Sequence, residues 1–210
     1  MHETGRVDDT DRVPPKVWAP RLAGSVAVLG LATALARTGV PSGEESVFRT
    51  LYRLPDQLDP VLWTPMQLGS AVAPFLVAAG AFLVWRQWRP AVGAVVVGMT
   101  GWWLAKVVKD VVGRGRPYSF FTDLPHRSGV PSDLGFPSGH ATVAFGLAAV
   151  LSPYLGRTPR AVVYGLAVVV AFARIHVGAH LPLDVIGGAA LGYALGWTWH
   201  LAVGISRTPT

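Results

Sequence analysis

Gly178-Ala-His-Leu-Pro-Leu-Asp184 stands at the mouth of an apolar segment that continues to about Ser206. Pro182 sits where a helix can begin, because the first turn asks no hydrogen-bond donor of it. His180 and Asp184 are four positions apart, close to one helical turn. On a helical or near-helical path the carboxylate reaches one imidazole nitrogen, fixes the tautomer and leaves the other lone pair facing outward as a nucleophile. A capped helix with a polar first turn would use the same residues, since an acid near a helix N-terminus is favoured by the dipole. Further along the segment, Gly188, Gly192 and Gly196 make a small-residue ridge at four-residue spacing, which suits close helix packing.

Composition places that segment in a membrane. Of 210 residues, 51% are hydrophobic and 14% charged, with eight Trp and 24 Gly, too apolar a balance for a soluble domain of this size. The net charge of +6 is spread singly or in pairs between apolar runs, which argues against a nucleic-acid-binding patch. There is no Cys, so no disulfide, thiolate metal site or Cys nucleophile is possible. Met1 to Pro20 is polar, mixed in charge and broken by Pro14, Pro15 and Pro20; it is expected to be a disordered cytoplasmic tail, not a cleavable signal peptide. Residues 21–206 are expected to form one membrane domain.

Six spans are predicted. They are Leu22 to Ala36, Met66 to Trp85, Ala91 to Val112, a segment from Ser138 to Gly156, one from Ala161 through Arg174, and Leu183 to Ser206. Thr38 to Asp59 reads as an extramembrane loop with a short amphipathic helix around Glu44 to Leu54, and no chemistry stands out in it. Gly113 to Gly135 is a second long loop. The expected fold is therefore an all-α, six-span transmembrane bundle. Alternating directions put Lys109, Ser138, His140, Arg174 and Asp184 at span ends that share one membrane face.

Three segments combine at that face: Lys109-Asp-Val-Val-Gly-Arg-Gly-Arg116-Pro117, then Pro137-Ser138-Gly139-His140, then Arg174-Ile-His-Val-Gly-Ala-His180-Leu-Pro-Leu-Asp184. In order and spacing they resemble the three-part signature of the type 2 phosphatidic acid phosphatases, lipid phosphate phosphatases that share a site with vanadium-dependent haloperoxidases. One departure is Ala173, where many members carry Ser. The resemblance implies metal-independent hydrolysis of a lipid phosphate or diphosphate, without a cofactor, through a phosphohistidine intermediate. It makes His180 the nucleophile, Asp184 its orienting partner and His140 the acid and then the base. Lys109, Arg116, Arg174, Ser138 and the Gly139 amide would hold the phosphate.

The residue types suit those roles on physical grounds. Three cations neutralise the non-bridging oxygens of a phosphomonoester, the two arginines in bidentate fashion, and amides at a helix N-terminus favour an anion. Taken singly, Lys109 could be a snorkelling lysine, Arg116 and Arg174 flanking charges, and Ser138 an N-cap. Ionisable groups beside spans are costly, so their joint convergence favours a site. A His, His, Asp zinc site is the rival, but the surrounding cations would repel a divalent ion. A phosphate-ligand transporter would need no His180 and Asp184 pair, whereas a phosphotransferase passing the phosphoryl group to an alcohol uses the same residues. Lys106, Arg114, Arg127, His126 and His176 lie near the site in sequence and are expected at most to support the site residues from behind or to contact the headgroup. With site residues set aside, Lys and Arg concentrate on the other face, which predicts a multi-pass plasma-membrane protein whose site faces outside and whose termini are cytoplasmic.

Overall fold

Residues 12–124 and 134–205 are described by the computed structural model. Their order is α1 (Pro15–Arg37), α2 (Ser42–Tyr52), α3 (Leu58–Met66), α4 (Ala73–Trp85), α5 (Trp88–Val112), α6 (Pro117–Phe120), α7 (Gly139–Leu151), α8 (Arg157–His176) and α9 (Pro182–Val203). Among these residues the regular structure is helical, apart from an isolated antiparallel bridge between Gly115 and Leu134.

The centre is the α7–α9 seam, and glycine makes it possible. A Cβ on Gly192 would lie 2.0 Å from the Thr142 carbonyl oxygen, one on Gly188 2.4 Å from that of Ser138, and one on Gly196 2.5 Å from the Ala149 Cβ. The ridge expected from the sequence is thus the surface on which α7 rides, at a backbone separation that side chains would forbid. Around this pair, α5 and α8 pack on α7, α1 packs on α9, and α4 packs on α5. Large apolar side chains such as Val26, Leu31, Leu76, Val84, Trp103 and Val168 point outward and are exposed, as lipid-facing residues are.

The six-span expectation is met in part, and the expectation for the tail needs correction. Three helices, α1, α5 and α8, are long and apolar enough to cross a membrane, and a fourth crossing exists if the bent pair Leu58–Gly69 and Ala73–Trp85 counts as one. The six-span count came from apolar length alone. Helix α7 has 13 residues, about 20 Å of rise against a hydrocarbon core of about 30 Å, and it is buried along nearly its whole length. Helix α9 has 22 residues, but Asp184, His200 and its glycines and tryptophans dilute its hydropathy, and it too is largely buried. The correction concerns the tail. Helix α1 begins at Pro15, inside the stretch expected to be disordered, because proline in a first turn forfeits no intrahelical bond. Residues 1–11 lie outside the described residues, as do Arg6, His126, Arg127 and Arg207.

The bend between α3 and α4 positions the site. After Pro65 the chain tightens into a 3-10 turn, Gln67–Gly69, and the two helices meet at 71°. The turn presses Gly69 onto α7, where an added Cβ would sit 2.6 Å from the His140 carbonyl oxygen.

Candidate active site

Helix α8 stops at His176, and Gly178 takes a left-handed φ of 71° that glycine adopts without strain. The resulting turn brings the Ala179 and His180 amides both to the Arg174 carbonyl, at 3.1 Å each. The chain then enters α9 at Pro182, and Asp184 caps the new helix by accepting the Leu181 N–H at 2.9 Å through Oδ2. His180 is thereby held in a non-helical corner between two helices, buried, with Nδ1 at 3.4 Å from Asp184 Oδ2.

That distance closes no hydrogen bond, and Nδ1 has no hydrogen-bond partner among the described residues. The orienting bond expected from the four-residue spacing is not closed, and both carboxylate oxygens have other donors. Oδ2 takes the Leu181 amide and Oδ1 takes Arg114 Nη1 at 2.9 Å. What Asp184 offers His180 is a nearby negative charge. Burial first, then Lys109, Arg174 and Arg116, hold the imidazole well below its ordinary protonation range. A neutral ring with Nδ1 toward a carboxylate presents Nε2 as the free lone pair.

The start of α7 faces this corner. Ser138 is its N-cap, with Oγ accepting the Ala141 N–H at 3.5 Å and its own amide donating to the Asp184 carbonyl at 2.8 Å, so α7 and α9 are stitched at their N-termini. Gly139 is the first helical residue, its α-carbon side against the Trp102 ring. His140 follows, its ring 5.9 Å from that of Trp102 at 61°.

Three cations close the cluster, each tethered to the protein. Lys109, in the last turn of α5, donates through Nζ to the carbonyls of Leu134 at 2.9 Å and Gly135 at 2.7 Å. Arg116 donates to the Ala179 carbonyl at 2.5 Å. Arg174, in the last turn of α8, reaches the Met66 sulfur at 3.4 Å, on the bend between α3 and α4. All three lie close enough to both His140 and His180 to act on them electrostatically. The eight residues singled out in the sequence therefore sit together at one end of the bundle. Among the described residues, no group of three or more His, Cys, Asp and Glu side chains is arranged to hold a metal ion.

Of the two alternatives expected for Arg114 the structure shows support from behind the site and not a headgroup contact: it is 4% exposed and bridges Asp184 to Glu44, which was not foreseen in this role. Its Nη1 donates to Asp184 Oδ1 at 2.9 Å and to Glu44 Oε1 at 3.0 Å, while Nη2 donates to Glu44 Oε2 at 2.5 Å and to the Gly39 carbonyl at 2.9 Å. Glu44 Oε1 also accepts the Leu183 amide at 2.8 Å, so the acid on α2 grips the start of α9 directly. No local signal separates Arg114 from Arg116, since residues two apart in an extended stretch fall on the same side. His176, by contrast, lies 3.1 Å from Asp59 and 3.0 Å from the Leu51 carbonyl, and Lys106 stands over the Trp102 ring at 5.4 Å.

Comparison with known proteins agrees with this architecture. The chain is 32% identical over 181 residues to phosphatidylglycerophosphatase B of Bacillus subtilis (strain 168), covering 79% of this chain and 85% of that one. It is 36% identical over 108 residues to the undecaprenyl-diphosphatase of Sulfolobus acidocaldarius, half of each chain. The crystal structure of a transmembrane PAP2-type phosphatidylglycerolphosphate phosphatase from Bacillus subtilis superposes with a TM-score of 0.70 at 25% identity, over 85% of this chain and 94% of that one. Residues 88–207 match the PAP2 superfamily, a stretch that takes in α5 to α9 and every site residue except Glu44. A membrane-type helical fold, the clustered histidines and cations, and this match over more than half its length lead to one conclusion: the chain belongs to the PAP2 superfamily.

Proposed function

We propose that this protein is an integral membrane phosphatase that hydrolyses a lipid phosphate or diphosphate through a covalent phosphohistidine, without a metal ion. The observation that carries it is the placement of a buried, neutral His180 within a ring of three tethered cations, Lys109, Arg116 and Arg174. A ring of that kind attracts a dianion and spreads its developing charge over fixed donors. Ser138 and the Gly139 amide add donors at the α7 N-terminus.

In the first step His180 Nε2 forms a bond to phosphorus as the bond to the lipid oxygen breaks, and His140 gives that oxygen its proton. In the second, His140 takes a proton from water, the hydroxyl attacks phosphorus, and the N–P bond breaks to return His180 and inorganic phosphate. Asp184, fixed by Arg114 and Leu181, stabilises the positive charge that His180 acquires on attack.

The lipid chain approaches from the bilayer. In the proposed arrangement the α3–α4 pair makes one bent crossing, and α7 and α9 cross inside the outer helices, so the chain crosses six times. The site faces away from the cytoplasm, in the plasma membrane. Support comes from the basic residues at the other end, Arg12, Lys16 and Arg21 at the start of α1, Arg86 between α4 and α5, Arg89 in the first turn of α5, and Arg157 and Arg160 at the start of α8. The catalytic end carries Arg37, Arg49 and Arg53 offset by Glu44, Glu45, Asp56 and Asp59.

The testing experiment presents purified protein with phosphatidylglycerophosphate, phosphatidate and undecaprenyl diphosphate and measures released phosphate. Turnover of at least one is expected, unaffected by EDTA and inhibited by vanadate, which mimics the transferring phosphoryl group. Loss of activity in EDTA with recovery on adding zinc or magnesium would overturn the metal-free mechanism. Since the chain has no Cys, single cysteines at Thr122 and Thr158 report orientation: an impermeant thiol reagent on intact cells should label the first and spare the second.

A further inference from the structure

At the end of the bundle away from the candidate active site, the start of α1, the Ser152–Tyr154 turn after α7, the first turns of α8 and the last turns of α9 enclose a cavity of about 390 Å³. Arg12, Arg21, Arg160, Tyr164, Tyr193 and Trp197 line it. These guanidinium groups come from two separate parts of the chain, the start of α1 and the start of α8, so the fold brings them together.

The aromatic residues form a continuous wall. Tyr164 stands 6.2 Å from Tyr193, and Tyr193 stands 6.3 Å from Trp197, centroid to centroid. The Arg21 guanidinium lies over the Trp197 ring at 4.6 Å, and Arg160 is fixed by donating to the Leu155 carbonyl at 2.8 Å. Trp197 is 5% exposed and gives the wall a buried, rigid end.

We infer that this cavity binds the phosphate headgroup of an anionic phospholipid from the leaflet opposite the catalytic face. Three cations gathered around one space call for an anion, and guanidinium groups engage phosphate oxygens in bidentate fashion. The cavity lies at the ends of helices that cross the bilayer, where headgroups are found and where Trp, Tyr and Arg collect. Val17 and Ile205 on its lining offer an apolar side to the glycerol and first methylenes of a lipid, which a free phosphate ion would not use. Bound there, the lipid ties the start of α1 to α8 and α9.

The test reads binding rather than turnover. The full chain is extracted into mixed phosphatidylcholine and phosphatidylglycerol micelles and its retained lipid counted by native mass spectrometry. One phosphatidylglycerol per chain should be retained in preference to phosphatidylcholine, and the Arg21→Gln, Arg160→Gln double variant should hold it about tenfold more weakly or worse. Turnover of a water-soluble phosphomonoester by that variant, within about twofold of the parent, shows that it is folded. Retention should survive Arg116→Gln, which disables the catalytic end. Equal retention of phosphatidylcholine, undiminished retention by the double variant, or loss on Arg116→Gln would each overturn the assignment. Displacement of the lipid by millimolar inorganic phosphate would also overturn it, by making the cavity a free-anion site.

Discussion

The two ends of the bundle both gather arginine and lysine, but they hold them differently. At the catalytic end Lys109, Arg116 and Arg114 are tied to main-chain carbonyls or to buried carboxylates, with Arg114 and Arg116 almost wholly out of solvent. At the other end Arg12 and Arg160 are exposed and Arg21 is half-buried against an indole ring. A cation fixed before the substrate arrives need not reorganise as charge develops, which is what lowers a barrier. A cation on an open rim draws anions to the surface and does little more. In the proposed reading the first end serves a transition state and the second a resident headgroup.

The comparison breaks most sharply at the nucleophile. His180→Ala should lower phosphate release by at least ~10⁴-fold, with no acid-labile phosphoprotein detectable in rapid-quench samples. Turnover within tenfold of the parent would leave the cation ring without its proposed reaction.

Next in size is the buried network behind Asp184. Glu44→Gln removes the charge that, with Asp184, holds Arg114, and leaves a side chain of nearly the same shape. The expected result is a loss of about 10- to 100-fold in kcat with KM little changed, because Arg114 is displaced from Asp184 and not from the phosphate. A merely structural acid would lower the yield of folded protein and leave kcat intact.

The third effect is on stability. Gly192→Val places side-chain atoms where a single Cβ already comes within 2.0 Å of the Thr142 carbonyl oxygen, and should cost about 1–3 kcal/mol or more. Gly165→Val, with open space at its Cβ, should cost little by comparison. Thermal unfolding in one detergent ranks the pair.

These residues also mark what the sequence made legible. The Gly188, Gly192 and Gly196 ridge could be read because a helical period carries it within one segment. Lys109, His140, Arg174 and His180 could be read because a polar residue among apolar neighbours is conspicuous. The contacts of Arg114 run 70 positions back to Glu44 and 70 forward to Asp184, and no local pattern encodes such a pairing. The number of crossings is not legible from hydropathy for a similar reason. Hydropathy registers how apolar a segment is, but not that α7 is wrapped by other helices or that α3 and α4 meet at a bend.

The smallest expected effect separates the two ends along a single helix. Arg160 and Arg174 both belong to α8, one in its first turn and one in its last. Fourteen positions separate them, about 21 Å at helical rise, against a screening length of about 8 Å at physiological ionic strength. Arg174→Gln should cost about 10²- to 10³-fold in kcat/KM, as loss of a donor to developing charge does. Arg160→Gln should change kcat/KM by less than about twofold. The pH dependence offers a second reading of the same contrast. His180 is held below its ordinary range by burial and by the cations beside it, including Arg174. The acid limb that reports its protonation should therefore lie below pH ~6.5, the unperturbed value. Removing the Arg174 charge relieves part of the repulsion on the imidazolium, so His180 takes up its proton at higher pH and the limb moves upward. Removing the Arg160 charge should leave the limb in place, and an equal shift in both variants would mean that the two ends are electrostatically one.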